Sequence, residues 1–472
     1  MTIPTSPLDP GDMPALKRWL AAQQVASSER AILRPIDIDE ILIGPDVLLE
    51  LPASLRRAGA GQRVLLVVDE TPMRREGQDL KPFVQTLLRE AGYDLETLLL
   101  QGDRYGLVHA DFEQVERVRA AIMPGTALVA LGAGTVTDIA KHAAHLYDQQ
   151  QPEPGRMVYI CCQTANSVTA FAASMAVLLK DGVKRTVPSR YPTAILSDLR
   201  VLASAPKAMT NAGLGDCCAR FVAYGDWYLA SALGLVDFYS EVPLALLANL
   251  DAILLAHAES IGQRSHAGEA VVARALLLAG IAQSIVNMSA PISGTEHVIS
   301  HVLDMIADHY GHGLALHGAQ VGVATITASQ LYQRFLDTFD PQAVDIAACY
   351  PDDEALRTHI HDLFQEIDAS GAMARECWHD YSQKLALWRR QRPRFEQFCS
   401  RWQSEHRPKL ASLVCPPQTV HKILADAGAS LACQELEPPV SQEEYAFAVR
   451  NGHFIRLRFV LADLLYFLGW HW

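Results

Sequence analysis

Ala127-Leu-Val-Ala-Leu-Gly-Ala-Gly-Thr-Val-Thr-Asp-Ile-Ala-Lys141 joins an apolar run to the small-residue turn Gly132-Ala133-Gly134 and then to a stretch of helical spacing. Continuous apolar residues predict a buried strand, and the turn lets backbone approach a ligand. The helix start then offers unpaired N–H groups and partial positive charge to a pyrophosphate. Thr137 occupies the third glycine position of the G-x-G-x-x-G fingerprint, so the segment is also compatible with an ordinary strand-to-helix turn. Asp138, in the first turn, suits the helix dipole as a cap. Asp69 ends an earlier apolar run, Arg63 to Asp69, where a carboxylate either closes a turn or bonds a ribose hydroxyl and repels a 2′-phosphate. In the second case NAD is favoured over NADP.

Working outward, the first half alternates such runs with amphipathic stretches. Strands are predicted at Leu95 to Gln101, Ala127 to Leu131 and Met157 to Cys162, and helices at Leu80 to Ala91 and Asp111 to Met123. This is α/β layering with a mostly parallel sheet. From about Ser204 the chain reads as all helix, for example Leu244 to Glu259, Gly268 to Asn287 and Gln442 to Phe467. The expected organisation is an arm at 1–30, an α/β dinucleotide-binding domain at 31–203 and an all-α domain at 204–472, joined near Val187 to Pro206.

Composition narrows the function classes. The 472 residues carry 40 Lys and Arg against 53 Asp and Glu, a formal charge of −13, which disfavours a nucleic-acid-binding face. The first fifteen residues lack the basic start and apolar run of a signal peptide. No membrane span is expected, the nearest stretch, Ala270 to Met288, being broken by Arg274, Gln283 and Asn287. Nine cysteines without C-x-x-C spacing read as reduced thiols of a cytoplasmic protein. A small-molecule substrate is expected, with no nucleic-acid or membrane partner, in a homo-oligomer whose first guess is a dimer.

Three apolar helical segments carry polar residues that need partners. His297 and His301 are four apart, so their rings share a helix face. His317 opens a further helical stretch, and Asp216 lies in Ala212-Gly-Leu-Gly-Asp216 on another. A divalent cation held by Asp216 and imidazoles would offset the burial of the carboxylate. Any single one of these histidines is more often a satisfied structural residue than a ligand, and Asp216 could equally pair with Arg220 one turn on. His309 and His312 fall in a predicted loop.

These segments, taken in order from about Asp37 to the C-terminus, resemble the sn-glycerol-1-phosphate dehydrogenase family. Its superfamily also holds iron-containing alcohol dehydrogenases, glycerol dehydrogenase and 3-dehydroquinate synthase. The resemblance rests on the glycine turn with Asp138-Ile-Ala-Lys141, on Asp198 to Pro206, on Ala212 to Asp216, on Ser293-Gly-Thr-Glu-His297 through His301, on His317 to Gly322 and on Ile455 to Leu465. It implies a dehydroquinate synthase-like fold with the site in the cleft between an α/β and a helical domain. It implies Asp216, His297 and His317 as metal ligands, zinc first, with nickel or iron as alternatives, and His301 as a substrate-contacting histidine whose role could exchange with that of His297. Gly132, Ala133, Gly134 and Thr135 match the pyrophosphate turn, and Thr164 to Ser167 a loop touching the cofactor. Lys184 and Arg185 resemble a basic segment suited to a substrate phosphate. Thr169-Ala170 stands where the family has Asp-Gly, which removes a charged acceptor for a substrate hydroxyl, and Gln163 replaces a proline.

The reading that follows is an NAD-dependent, metal-assisted oxidoreductase interconverting an alcohol and a carbonyl on a small polyol or polyol phosphate. The cation activates the substrate oxygen, and His301 or a bound water relays the proton. Two rivals are an NAD-using sugar-phosphate cyclase, against which Asp216 stands where those enzymes generally have glutamate, and a diverged nucleotide-binding member without turnover.

Overall fold

The computed structural model describes residues 8–26, 33–102, 108–151, 155–180 and 183–470. By contacts the chain groups into two compact units, Met1–Cys217 with Val242–Met288, and Cys218–Glu241 with Ser289–Trp472. The contacts thus count Val242–Met288 with the α/β portion, whereas the sequence reading divides the chain once, at 203/204.

The first unit is built on a six-stranded sheet: β1 (Glu40–Gly44), β2 (Arg63–Asp69), β3 (Asp94–Leu100), β4 (Thr126–Gly132), β5 (Tyr159–Gln163) and β6 (Ala194–Asp198). Their order is β1-β6-β5-β4-β2-β3, and every pairing is parallel. β4, β5 and β6 are buried throughout and β2 is buried after Arg63, as continuous apolar strands require when both sheet faces are covered. The edge strands β1 and β3 are half-exposed and carry acidic residues. β2 is followed by β3 on one side, whereas β4 is followed by β5 on the other. The carboxyl ends of β2 and β4 therefore flank the point where strand order reverses, the usual ligand crevice of an open parallel sheet. The pairing of β2 with β4 ends at Val67 and Ala130, two residues before Asp69 and Gly132 close their strands.

Three expectations change here. The start of the chain is not a loose arm throughout: Met13–Ala26 is a helix that buries Met13, Leu16 and Leu20 at i, i+3 and i+7, with the Asp12 carboxylate accepting from Ala15 N–H at 2.9 Å; the rest of 1–30 lies largely outside the described residues. The predicted helix over Leu244 to Glu259 is broken at Asn249, which takes a left-handed conformation (φ 58°) before helix Leu250–Gly262 begins. Two stretches, Val242–Gly262 and His266–Ile285, do meet the length and apolarity of a membrane span, but 89% of the latter's apolar window is buried inside the protein, as in a core helix.

Among the described residues the second unit is helical. Helix Thr295–Tyr310 includes His309, which the sequence reading left in a loop, and helix His317–Thr338 follows after Gly311 in the left-handed region. Trp388, Trp402, Phe335, Phe364, Phe395 and Phe398 fill the core. The predicted helix Gln442 to Phe467 is two helices, Gln442–Asn451 and Leu461–Phe467. The first starts from a Ser441/Glu444 capping box, and Gly452 ends it by packing against the backbone of Val298. Eight of the nine cysteines are buried and none is paired with another.

Candidate active site

The turn after β4 is half-buried between a buried strand and the buried first half of the following helix. Gly132 is buried, Ala133, Gly134 and Thr135 are half-buried, and helix Gly134–Gln149 buries Val136 through Ala144. A Cβ on Gly132 would lie 2.4 Å from Val136 Cβ, and one on Gly134 would lie 2.6 Å from Val168 Cγ2. Both glycines are therefore required by close packing as well as by any ligand. Ala133 precedes the helix without a side-chain cap, so its first N–H groups have no side chain to cap them. Asp69 accepts from Thr71 N–H at 3.1 Å, and burial pushes its carboxyl above the usual range.

Asp138 does not act as a cap. Its Oδ1 takes a 2.9 Å bond from the fully buried Lys141, whose Nζ also donates to Ala170 O at 2.7 Å and Met175 O at 2.9 Å, and Val177 N–H reaches its Oδ2 at 3.2 Å. Burial raises the Asp138 pKa, and the Lys141 charge works against that rise. The Asp-Ile-Ala-Lys motif is thus an i,i+3 ion pair that ties the helix to the 169–175 segment.

Thr164, Ser167 and Thr169 are all buried on the loop after β5. A polar chain holds that loop: Ser197 Oγ donates to Gln163 Oε1 (2.7 Å), Gln163 Nε2 to Asn166 Oδ1 (2.8 Å) and Asn166 Nδ2 to Glu269 Oε2 (2.7 Å), while Thr210 Oγ1 donates to Glu269 Oε1 (3.0 Å). Burial raises the Glu269 pKa against these bonds. Gln163 bonds on both sides and so links Ser197 to Asn166. The loop then meets helix Lys207–Cys218, where Gly213 lets Asn166 O come so near that a Cβ would sit 2.3 Å from it. One turn on, buried Asp216 accepts the Thr169 N–H through Oδ2 at 2.9 Å.

In the second unit, the rings of His297, His301 and His317 cluster, with centroids 5.1 Å apart for His297–His317, 5.4 Å for His301–His317 and 6.1 Å for His297–His301. His297 is buried; His301 and His317 are half-buried. His297 Nδ1 is 2.8 Å from Glu296 Oε1, and His317 Nδ1 is 3.0 Å from Ser300 Oγ, which donates to Gln320 Oε1 at 2.7 Å. In the tautomer whose Nδ1 donates to these groups, each ring has Nε2 left to coordinate. Glu296 lies near a second buried carboxylate, Asp226, which accepts from Thr295 N–H, Thr295 Oγ1, Tyr332 OH and Leu461 N–H at 2.6–2.9 Å. Burial pushes Glu296 up to about 7; burial and the Glu296 charge push Asp226 up to about 6.

Of the three residues that the resemblance implies as metal ligands, Asp216 belongs to the first unit and His297 and His317 to the second. Two imidazole nitrogens and a carboxylate oxygen suit zinc or another divalent transition metal, so the donor set fits. Arg185 is exposed on the hairpin Met175–Lys180/Val183–Pro188, paired in register with Leu178; the Lys184 side chain lies outside the described residues. Sequence reasoning missed Glu296, Ser300, Gln320 and Glu269. The only signal was adjacency of Glu296 to His297 and an acid placed in the apolar run of helix His266–Ile285.

A family model described as iron-containing alcohol dehydrogenase matches residues 42–206. The glycerol-1-phosphate dehydrogenase (NAD(P)+) of Bacillus subtilis strain 168 is 29% identical over 313 residues, covering 65% of this chain and 76% of that protein. The protein of the same name from Methanosarcina acetivorans is 30% identical over 295 residues, covering 62% and 76%. In fold, the chain is similar to the sulfoacetaldehyde reductase of Bifidobacterium kashiwanohense solved in complex with NAD+, with TM-score 0.53 and 14% identity over 92% of this chain and 96% of that one. A relative 30% identical over three quarters of its own length, together with the parallel-sheet and helical architecture, shows that the chain belongs to the glycerol-1-phosphate dehydrogenase family of the iron-containing alcohol dehydrogenases.

Proposed function

We propose that this protein is an NAD(P)-linked, metal-dependent dehydrogenase that oxidises the secondary alcohol of glycerol 1-phosphate, or a closely similar polyol phosphate, and reduces the matching ketone. The observation that carries this reading is the packing of the His297, His301 and His317 rings against one another in a chain of this family; His297 and His317, with Asp216, are the proposed metal ligands. When bound there, a divalent cation, zinc first, supplies a Lewis acid for the substrate oxygen. The glycine turn Gly132 to Thr135, with Thr164 and Ser167, binds the dinucleotide and orients its nicotinamide C4, and Asp138 supports the turn from beneath through Lys141. In the oxidative direction the substrate C–H hydride passes to C4, and the hydroxyl proton leaves through an imidazole nitrogen of His301. Thr169 holds Asp216 in place through its N–H and presents its hydroxyl as a neutral hydrogen-bonding group for the glycerol end. Lys184 and Arg185 are the cations for the phosphate. Asp69, at the end of β2, opposes a 2′-phosphate and so favours NAD over NADP. The buried reduced cysteines fit a cytoplasmic enzyme, and a dimer remains the oligomeric proposal.

The test is turnover of glycerol 1-phosphate with NAD and of dihydroxyacetone phosphate with NADH, each repeated with the 2′-phosphorylated cofactor, before and after chelation and zinc reloading, with metal analysis. Loss on chelation and return on reloading is the expected outcome. No turnover in the reloaded protein, full turnover in the metal-free protein, or an Asp216→Ala variant that keeps its metal would overturn the reading.

A further inference from the structure

Glu296 is a fully buried carboxylate with an incomplete account. Its Oε1 accepts Gly294 N–H at 2.6 Å and faces His297 Nδ1 at 2.8 Å, while its Oε2 is buried with no hydrogen-bond partner. Asp226 is close by: a Cβ on Gly294 would lie 2.3 Å from Asp226 Oδ2 and 3.1 Å from Glu296 Oε2. Two carboxylates in one dry pocket repel each other, and a cap on a helix start needs only a neutral acceptor. Serine or threonine would cap Gly294 at far smaller cost. The second histidine, His317, is held by a neutral hydroxyl: Ser300 stands four residues after Glu296, on the same face of helix Thr295–Tyr310, and relays to Gln320. One helix thus presents two different partners to two imidazoles, one anionic and one neutral.

We propose that Glu296 is a positioning residue that acts through His297: its Oε1 takes the Nδ1–H, fixes the ring so that Nε2 is the donor atom, and makes His297 the more basic of the two imidazole ligands. Ser300 does the same for His317 without adding charge. The Arg458 charge already acts on both carboxylates, and a cation reached through His297 adds to that compensation, which gives an acid here a use that a capping hydroxyl would not have. This rests on the ligand set of the proposed function.

The experiment uses the full chain, stripped of metal and titrated with cobalt(II), reading the visible ligand-field bands and the dissociation constant by chelator competition. Glu296→Gln keeps an acceptor and removes the charge; it is expected to weaken cobalt binding about 10-fold, and Glu296→Leu about 100-fold, with altered bands. Ser300→Ala is expected to weaken binding only a few-fold. Nitrogen-15 imidazole NMR of the zinc-loaded parent needs no variant, and it is expected to report His297 as Nδ1–H with Nε2 coordinated. Parent-like cobalt affinity and bands in both Glu296 variants, or an Nε2–H tautomer at His297 in the parent, would overturn the proposal while leaving the ligand set intact. A parent with no affinity for cobalt would overturn both, and that outcome is recognisable before any variant is made.

Discussion

Substituting Gly213→Ala probes whether packing sets the position of Asp216. The added Cβ would lie 2.3 Å from Asn166 O, 2.8 Å from Asn166 C and 3.1 Å from Leu276 Cδ1. Close carbon–oxygen contacts settle at about 3.3 Å, so helix Lys207–Cys218 and the loop after β5 must part by about 1 Å. Backbone on both sides leaves no flexible side chain to absorb the shift. The Thr169 N–H to Asp216 Oδ2 bond, 2.9 Å long, joins the same two segments and would stretch beyond bonding range. Misplacing a reacting constellation by about 1 Å costs about 100-fold, equivalent to about 2.7 kcal/mol in kcat/KM, while overpacking costs about 1–3 kcal/mol of stability. The assay is kcat/KM for dihydroxyacetone phosphate with NADH on zinc-loaded protein, with metal content and thermal unfolding measured alongside. Gly234→Ala is the comparison: Gly234 sits at φ 70° in the second unit, so the variant is strained and loses stability, yet it should retain kcat/KM within about twofold. Parent-like kcat/KM and zinc content in Gly213→Ala would show that helix and loop separate freely and would refute the reasoning.

Two further outcomes follow from buried groups of the first unit. Lys141→Met leaves the Asp138 carboxylate buried without its cation and should cost about 3–5 kcal/mol by denaturant unfolding. The deficit should shrink toward pH 5, because an acid whose folded pKa is raised loses stability as pH rises, and an undiminished deficit at pH 5 would argue against the uncompensated charge. His142, on the same helix, is held neutral chiefly by burial, which lowers its pKa from 6.5 to about 4. Its contribution is therefore complete above pH 6.5 and is lost as pH falls toward 4. At 1.36 kcal/mol per unit the ceiling is about 3 kcal/mol, reduced to about 1–2 because the ring is not wholly removed from water. Between pH 7 and 4.5 the parent should lose that much more stability than His142→Leu; equal losses would contradict the assignment.

What could be read in the sequence was whatever is encoded within one element. The runs at Arg63 to Asp69 and Ala127 to Leu131 mark strands covered on both faces, and the four-residue spacing of His297 and His301 marks a shared helix face; both hold. The Met13–Ala26 helix was hidden by the Asp- and Pro-rich residues before it, although Met13, Leu16 and Leu20 carry its period. The strands Glu40–Gly44 and Ala194–Asp198 are five residues each, too short for alternation to stand out. Helices Leu250–Gly262 and His266–Ile285 were recognisable as helices but not as part of the first unit, because a helix's period says which face is buried and not against what. The partners of the candidate site are less local still. Asp216 meets Thr169 across 47 residues and Asn166 meets Glu269 across 103, and no periodic pattern relates positions so far apart. Glu296 was obscured for the opposite reason: neighbours i and i+1 diverge on a regular helix, so spacing logic discounts a carboxylate beside a histidine. In the first turn of Thr295–Tyr310, however, its carboxylate folds back to accept Gly294 N–H and to face His297 Nδ1. Buried polar groups make their own geometry when each unpaired donor or acceptor costs about 1–3 kcal/mol, and that pressure overrides the directions that periodicity assigns.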